Sequence, residues 1–261
     1  GYGNLAAAIS GFFELTGWPD RDPVGPWNAY TDTVAPRFLT TTLLAALDHK
    51  RRTGEGQHID LGQMEAALHF LAPELIARQA TDLEFIRNGN RSHDAAPQGV
   101  YPCAGDDEWC AIAVESDEHW GLLKKALGNP EWSRATELSS VAGRLAAHDR
   151  LDQSLSDWTR QRTPREAMET LTQCGVPAGH VQRSSDLLLD PQYQHRGFHR
   201  EIDHAEMGRI PYSGHAFRIS GYDNGPRFAA PLIGGESFEV LADELGFNAE
   251  EVADLMASGA I

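Results

Sequence analysis

Cysteine is scarce in this chain. Cys103, Cys110 and Cys174 are its only three, and they show neither the paired spacing of a zinc site nor that of a redox dithiol. A disulfide framework is therefore excluded, and all three are expected to be reduced core residues. Positive charge is also short. Against 38 Asp and Glu stand 22 Lys and Arg, and the formal net charge of −16 repels nucleic acid and anionic membranes, so neither is an expected partner. No run approaches the roughly 18 apolar residues that cross a bilayer. The N-terminus lacks a basic, apolar, small-residue leader, which makes the cytosol the expected compartment. Also missing are a Gly-x-Ser-x-Gly elbow, a phosphate-binding loop and a His-Glu-x-x-His helix, so the hydrolase and nucleoside-triphosphate readings fall away. His195, His199 and His204 lie close in sequence but have the wrong spacing for a metal, and Arg196, Gly197 and Arg200 among them suggest an exposed loop. No metal site is expected.

What is present is an ordinary globular balance, 41% apolar and 23% charged over 261 residues, enough for one large or two modest domains. Phe38, Leu39, Leu43, Leu44 and Leu47 recur at helical spacing and predict a helix over 38–50, with cations from His49 to Arg52 at its C-terminal end and Gly54 and Gly56 permitting a turn. Alternation predicts a short half-buried strand over 57–61, and 64–72 reads as a helix stopped by Pro73. Paired strands are predicted over 100–102 and 109–114, then helices over 119–127 and 145–160. Thr163-Pro164-Arg165-Glu166 is a capping box opening a helix that ends at Cys174-Gly175, and Asn248 with Glu251 caps the last of two C-terminal helices, 236–245 and 249–256. The six tryptophans read as core or interface anchors.

One acid stands in a setting that suggests chemistry. Asp32 precedes the predicted helix, with Pro36 at an early-helix position. Two readings are open: an N-cap, for which Asp is a preferred residue, or a carboxylate held ionised among unpaired N–H groups and able to act as a nucleophile. The segment 88–98 also has two readings. Gly89 and Asn90 permit the close backbone approach of a loop closing over a substrate, and the same composition serves a plain interdomain linker.

An ordered string of motifs bears on both choices: Ser10-Gly11, Leu15-Thr16-Gly17-Trp18-Pro19-Asp20, Tyr30-Thr31-Asp32, Leu44-Ala45-Ala46-Leu47 and Arg52-Thr53-Gly54-Glu55-Gly56-Gln57, then Gly89-Asn90-Arg91, Ala96-Pro97, Gly175-Val176-Pro177, Asp190-Pro191-Gln192 and Ala230-Pro231-Leu232-Ile233-Gly234. This string resembles the class III CoA-transferase family of CaiB/BaiF type, which includes formyl-CoA, carnitine-CoA and succinyl-CoA transferases. The resemblance implies an α/β fold with part of a large domain at 1–87, a linker or active-site loop at 88–98, an inserted smaller α+β domain at 99–194 and a return to the large domain at 195–261. It makes Asp32 the catalytic nucleophile, and it places Tyr2, Gly89, Asn90, His93 and Asp94 at the substrate. Acyl-CoA and a carboxylic acid are the implied substrates, with coenzyme A a substrate and no resident cofactor, and an interlocked homodimer is the implied assembly.

Departures from the family pattern set the alternatives. Gly3 stands where formyl-CoA transferases carry a glutamate, Pro36 replaces a glycine, and Ser92-His93-Asp94-Ala95 replaces a glycine run. Tyr2 falls where the related alpha-methylacyl-CoA racemases carry a histidine, which favours transfer over racemisation. The Rossmann-like half that supplies much of the family's CoA-binding surface is expected ahead of Gly1, so a non-catalytic or incomplete half is the remaining reading.

Overall fold

A computed structural model describes residues 2–82 and 84–261. Its contacts divide the chain into two units, Gly1–Val181 and Gln182–Ile261. The first unit opens with α1 (Gly3–Ile9) and the single turn α2 (Phe12–Leu15), then α3 (Tyr30–Thr53). Helix α3 begins at Tyr30, not at residue 38 as its apolar spacing suggested, because Pro36 has a φ already suited to a helix and does not stop it. Side chains of Thr40, Thr41 and Thr42 donate to the carbonyls of Pro36, Arg37 and Phe38, four residues back, at 2.8–3.0 Å. The helix ends on Gly54, whose φ of 82° lets its N–H reach the Lys50 carbonyl at 2.8 Å. Its leucine stripe is not a core face here: Leu39, Leu43, Leu44 and Leu47 are 44–62% exposed.

The strand expected over 57–61 does not form. Ile59 and Leu61 are half-buried while His58 and Asp60 are exposed, so the alternation is present, but no described strand pairs with the segment and without a ladder it stays extended coil. Pro73 likewise starts a helix. Helix α4 (Gln63–Leu68) runs into one 3₁₀ turn and then α5 (Ala72–Ala80), where Pro73 occupies the first turn and its missing N–H costs nothing. Ala7, Phe12, Ala67 and Leu71 form the small core that ties α1, α2 and α4 together.

The larger core lies further along the same unit. Strands β1 (Gln98–Pro102) and β2 (Trp109–Ala113) pair antiparallel, and β3 (Ala178–His180) adds to β2 with Cys110 opposite His180. Helices α6 (Asp117–Ala126), α7 (Val141–Ala146), α8 (His148–Thr159) and α9 (Pro164–Gln173) bury Trp120, Leu123, Leu151, Leu155 and Leu171 with Ile112, Val114 and Val176. Each such leucine is worth about 2–5 kcal/mol against alanine. The single helix expected over 145–160 is two, broken at Ala147. The Thr163 box forms as expected: the Glu166 N–H donates to Thr163 Oγ1 and the Thr163 N–H to Glu166 Oε2. Trp120 is an anchor, packed on Trp132, whereas Trp27 is 92% exposed.

In the second unit, α10 (Ser184–Leu189) is followed by α11 (Pro191–Arg196), which Asp190 caps by accepting from the N–H groups of Gln192 and Tyr193. The hairpin β4 (His199–His204) and β5 (Gly208–Ser213) follows, so His195, His199 and His204 sit on a helix and a strand instead of an exposed loop. The short α12 (Ser237–Glu239), a π turn and α13 (Ala249–Ala257), boxed by Asn248 and Glu251 as expected, close the chain.

Candidate active site

Asp32 lies inside the first turn of α3, third of its helical residues, and its N–H donates to the Ala29 carbonyl at 3.0 Å. The cap reading is thereby corrected, since Ala29 holds the N-cap position and Asp32 has helical backbone. The carboxylate is exposed, and two chain segments hold it. Gly3, first residue of α1, faces it so closely that a β-carbon there would come within 2.6 Å of Asp32 Cγ. Gln63, first residue of α4, donates from Nε2 to Asp32 Oδ1. The buried Thr31 hydroxyl fixes the arrangement by donating to the Gly3 carbonyl at 2.9 Å. Three helices therefore start around one carboxylate, and each leaves first-turn N–H groups without a partner within its own helix. Aromatic rings back the site: Tyr30 packs on Phe12 at 4.9 Å and on Phe70 at 6.4 Å, and Phe38 stacks on His69 at 5.3 Å.

Tyr2 precedes Gly3 as the N-cap of α1 and is 88% exposed, and no hydrogen bond or ion pair among the described residues joins it to Asp32. The other expected substrate residues lie on the segment that leads into β1. Gly89, at φ 59°, donates its N–H to the Gly17 carbonyl at 2.9 Å, and a β-carbon there would strike the Trp18 ring at 2.6 Å. The Asn90 carbonyl accepts from Gln98 Nε2 at 3.3 Å, His93 packs edge-on against Phe85 at 5.7 Å, and Asp94 bonds the Ser92 hydroxyl. No hydrogen bond or ion pair among the described residues joins these four to Asp32.

The segment is tied at both ends of its length. Arg91 reaches Asp149 at 2.5 Å and Asp152 at 2.8 Å, an arrangement that raises the Arg91 pKa chiefly through the Asp149 bond and lowers that of Asp149. Asp152 also accepts from the Tyr101 hydroxyl at 2.9 Å, and burial first, then that carboxylate, pushes the Tyr101 pKa up. His148 accepts the Gln98 N–H at 3.3 Å, and burial holds its pKa below the usual histidine value. At the far end Arg144, fully buried, donates to the Ala96 carbonyl at 2.8 Å, the Leu138 carbonyl at 3.1 Å and Asp117 at 2.8 Å.

Residues 1–237 match the family described as CoA-transferase family III. The chain belongs to that family. Among its relatives is the Mycobacterium tuberculosis protein named "Probable CoA-transferase Rv1866", 33% identical over 98% of this chain and 33% of that protein. The succinyl-CoA–D-citramalate CoA-transferase of Chloroflexus aurantiacus is 28% identical over all of this chain and 65% of its own length. A crystal structure of a CaiB/BaiF family protein from Brucella suis superposes with a TM-score of 0.77 at 26% identity, covering 93% of this chain and 62% of that one. This chain thus spans between a third and two thirds of the length of these relatives.

Within this family III chain Cys103 and Cys110 are poor nucleophiles. Burial pushes the Cys103 thiol up to about 11 and the Cys110 thiol to about 12, while Cys174 is only half-buried, not the core residue expected. Gln63 and Arg144 were not among the expected site residues. A glutamine directly after Gly62 at a helix start was the available signal for the first. For the second there was none, because an arginine reads as surface from its type alone.

Proposed function

We propose that Asp32 is the nucleophile of a CoA-transferase that moves CoA from an acyl-CoA thioester to a carboxylic acid. A carboxylate oxygen of Asp32 attacks the thioester carbonyl and CoA leaves as the thiolate, giving an acyl–aspartyl anhydride. The thiolate then attacks the aspartyl carbonyl, which releases the donor acid and leaves an aspartyl-CoA thioester. The acceptor carboxylate attacks this thioester and again frees the thiolate, which attacks the acceptor's acyl carbon to form the new acyl-CoA and restores the Asp32 carboxylate. Each step exchanges one acyl bond for another, so a carboxylate nucleophile divides one hard exchange into easier ones.

The observation that carries this reading is the Asp32 carboxylate held by Gln63 against Gly3 at the start of three helices, where N–H groups can stabilise developing oxyanions. Family membership supports it, and the relatives' names make succinyl-CoA and formyl-CoA the donors to try first. In the same reading the segment 88–98 borders the substrate, the large domain takes 1–87 and 195–261, the smaller one takes 99–194, and the working enzyme is an interlocked homodimer of the cytosol.

The test is incubation with an acyl-CoA, a hydroxylamine quench and peptide mass spectrometry. A hydroxamate at Asp32, and loss of CoA exchange in Asp32→Ala, are expected. Exchange that continues in Asp32→Ala, with no adduct at Asp32 in the parent, refutes the assignment. Deuterium wash-in next to the thioester without CoA exchange would replace it with racemisation.

A further inference from the structure

We propose that the second unit carries a binding site for a small dianion, bearing carboxylate or phosphate oxygens, between Arg196 and Arg218. A cavity of about 240 Å³ opens between the end of α11 and the segment after β5. Arg196, Arg200 and Arg218 line it against a single carboxylate, Asp223, which leaves a local charge of +2 from three guanidiniums less one acid. In a chain of net charge −16 this is a concentrated exception.

The three arginines are not equivalent. Arg200 is engaged with Asp223 and donates from Nη1 to the Pro226 carbonyl at 3.4 Å, and that ion pair lowers the Asp223 pKa. Gly225 makes room for it, since a β-carbon there would come within 2.5 Å of the Arg200 guanidinium carbon. Arg200 and Asp223 are therefore wall. Arg196 and Arg218 have no carboxylate partner among the described residues. Arg196 Nη2 donates to the Ala216 carbonyl at 3.3 Å, and Arg218 Nη2 donates to the Arg196 carbonyl. These two backbone bonds stitch α11 to the segment after β5 at the wall of the cavity, yet each side chain has five N–H donors and spends one. The forks left over match the paired oxygens of a carboxylate or phosphate.

Ligand size and shape follow from the remaining walls. The His215 and Phe217 rings stack at 5.3 Å with planes 11° apart and offer a flat face for a carbon frame. The volume is below the ~300–1,000 Å³ of sites that enclose drug-sized molecules, so it suits a short diacid or a small phosphate ester better than a whole nucleotide. The site lies in the unit that does not hold Asp32, and its assignment does not depend on the transferase reading.

Arginine footprinting on the unmutated protein tests this without risk of misfolding. Phenylglyoxal modification is followed residue by residue by peptide mass spectrometry in chloride, then at equal ionic strength in phosphate, succinate or AMP. Phosphate or succinate is expected to slow modification of Arg196 and Arg218 about fivefold at a concentration near four times Kd, and to leave Arg134 and Arg150 in the first unit unchanged. Protection by phosphate alone assigns a phosphate ester, and protection by succinate alone a diacid. Equal slowing at all arginines, no protection up to about 10 mM, or protection by AMP alone overturns the proposal.

Discussion

The α-carbon of Gly3 and the carboxylate of Asp32 face each other with no room for a β-carbon, which would lie 2.6 Å from Cγ and Oδ1 and 2.7 Å from Oδ2. Real β-carbons do not approach other atoms so closely, so the position of Asp32 depends on a residue twenty-nine places earlier having no side chain. The Thr31 hydroxyl on the Gly3 carbonyl keeps the two backbones at this separation. On the transferase reading, this contact decides where the nucleophile points.

Gly3→Ala should therefore turn the Asp32 side chain away from Gln63 while leaving the fold in place, because the carboxylate is exposed and free to move outward. A displacement of about 1 Å at a reacting group costs on the order of 10²-fold in rate. Steady-state kinetics of CoA exchange should show that loss in kcat with the melting temperature nearly unchanged. A variant as active as the parent would show that the observed side-chain position is not the reactive one.

Gln63 gives a second handle on the same oxygen. Gln63→Ala removes a donor to the Asp32 carboxylate and should lower the rate of hydroxamate formation by on the order of 10²-fold, the usual cost of one oxyanion-type donor. Gln63→Glu should be worse near neutral pH, because a second carboxylate at hydrogen-bond distance makes one of the pair hold a proton. The acid limb of its pH–rate profile should move to higher pH, and Gln63→Ala should show no such movement.

These two contacts mark the limit of what the residue string conveyed. Local chemistry was legible: the capping boxes at Thr163 and Asn248, the Gly54 stop and the β1–β2 pair all depend on neighbours in sequence. Strand β3 was not, because its three residues carry little pattern and are defined by pairing with β2 nearly seventy positions away. The strand expected over 57–61 failed for the converse reason, having the pattern without the partner. At the site, Asp32 was singled out from its surroundings, but Gln63 reaches it from thirty-one residues on, and no spacing rule covers that distance.

Arg144 should be the most sensitive position in the first unit outside the apolar core. It is fully buried, and its donors satisfy the carbonyls of Ala96 and Leu138, while its Asp117 partner is largely exposed. Arg144→Met keeps much of the bulk but leaves two carbonyls without that donor, at about 1–3 kcal/mol each. Urea unfolding should show a loss of about 2–5 kcal/mol, with greater protease sensitivity between Asn88 and Gln98.

The pH dependence of this unit should carry a signature of His148. Burial depresses its folded pKa, so above the unfolded value of about 6.5 it is neutral in both states and its contribution is complete. As pH falls below that value the unfolded chain takes up a proton that the folded chain does not, and stability declines until the folded pKa is passed. Urea midpoints measured from about pH 7 to about pH 5 should fall in the parent. His148→Gln, which keeps an acceptor for the Gln98 N–H, should flatten that decline.

Pro36 poses a trade between stability and alignment. It lies in the interior of α3, and the N–H it lacks is the one that an unbroken helix would donate to the Asp32 carbonyl. A proline in a helix interior costs up to about 3 kcal/mol relative to alanine, and part of that cost is relieved here because Pro36 lies only two turns from the helix start. Pro36→Ala should therefore stabilise the protein by about 1–2 kcal/mol in urea. The same change gives the Asp32 carbonyl a partner along the helix and tightens the turn that carries its carboxylate, shifting that group relative to Gly3 and Gln63. If the proline holds the first turn where the nucleophile meets its donor, the stabilised variant should exchange CoA more slowly, with kcat reduced and KM little changed. A variant both more stable and equally fast would reduce Pro36 to a tolerated defect.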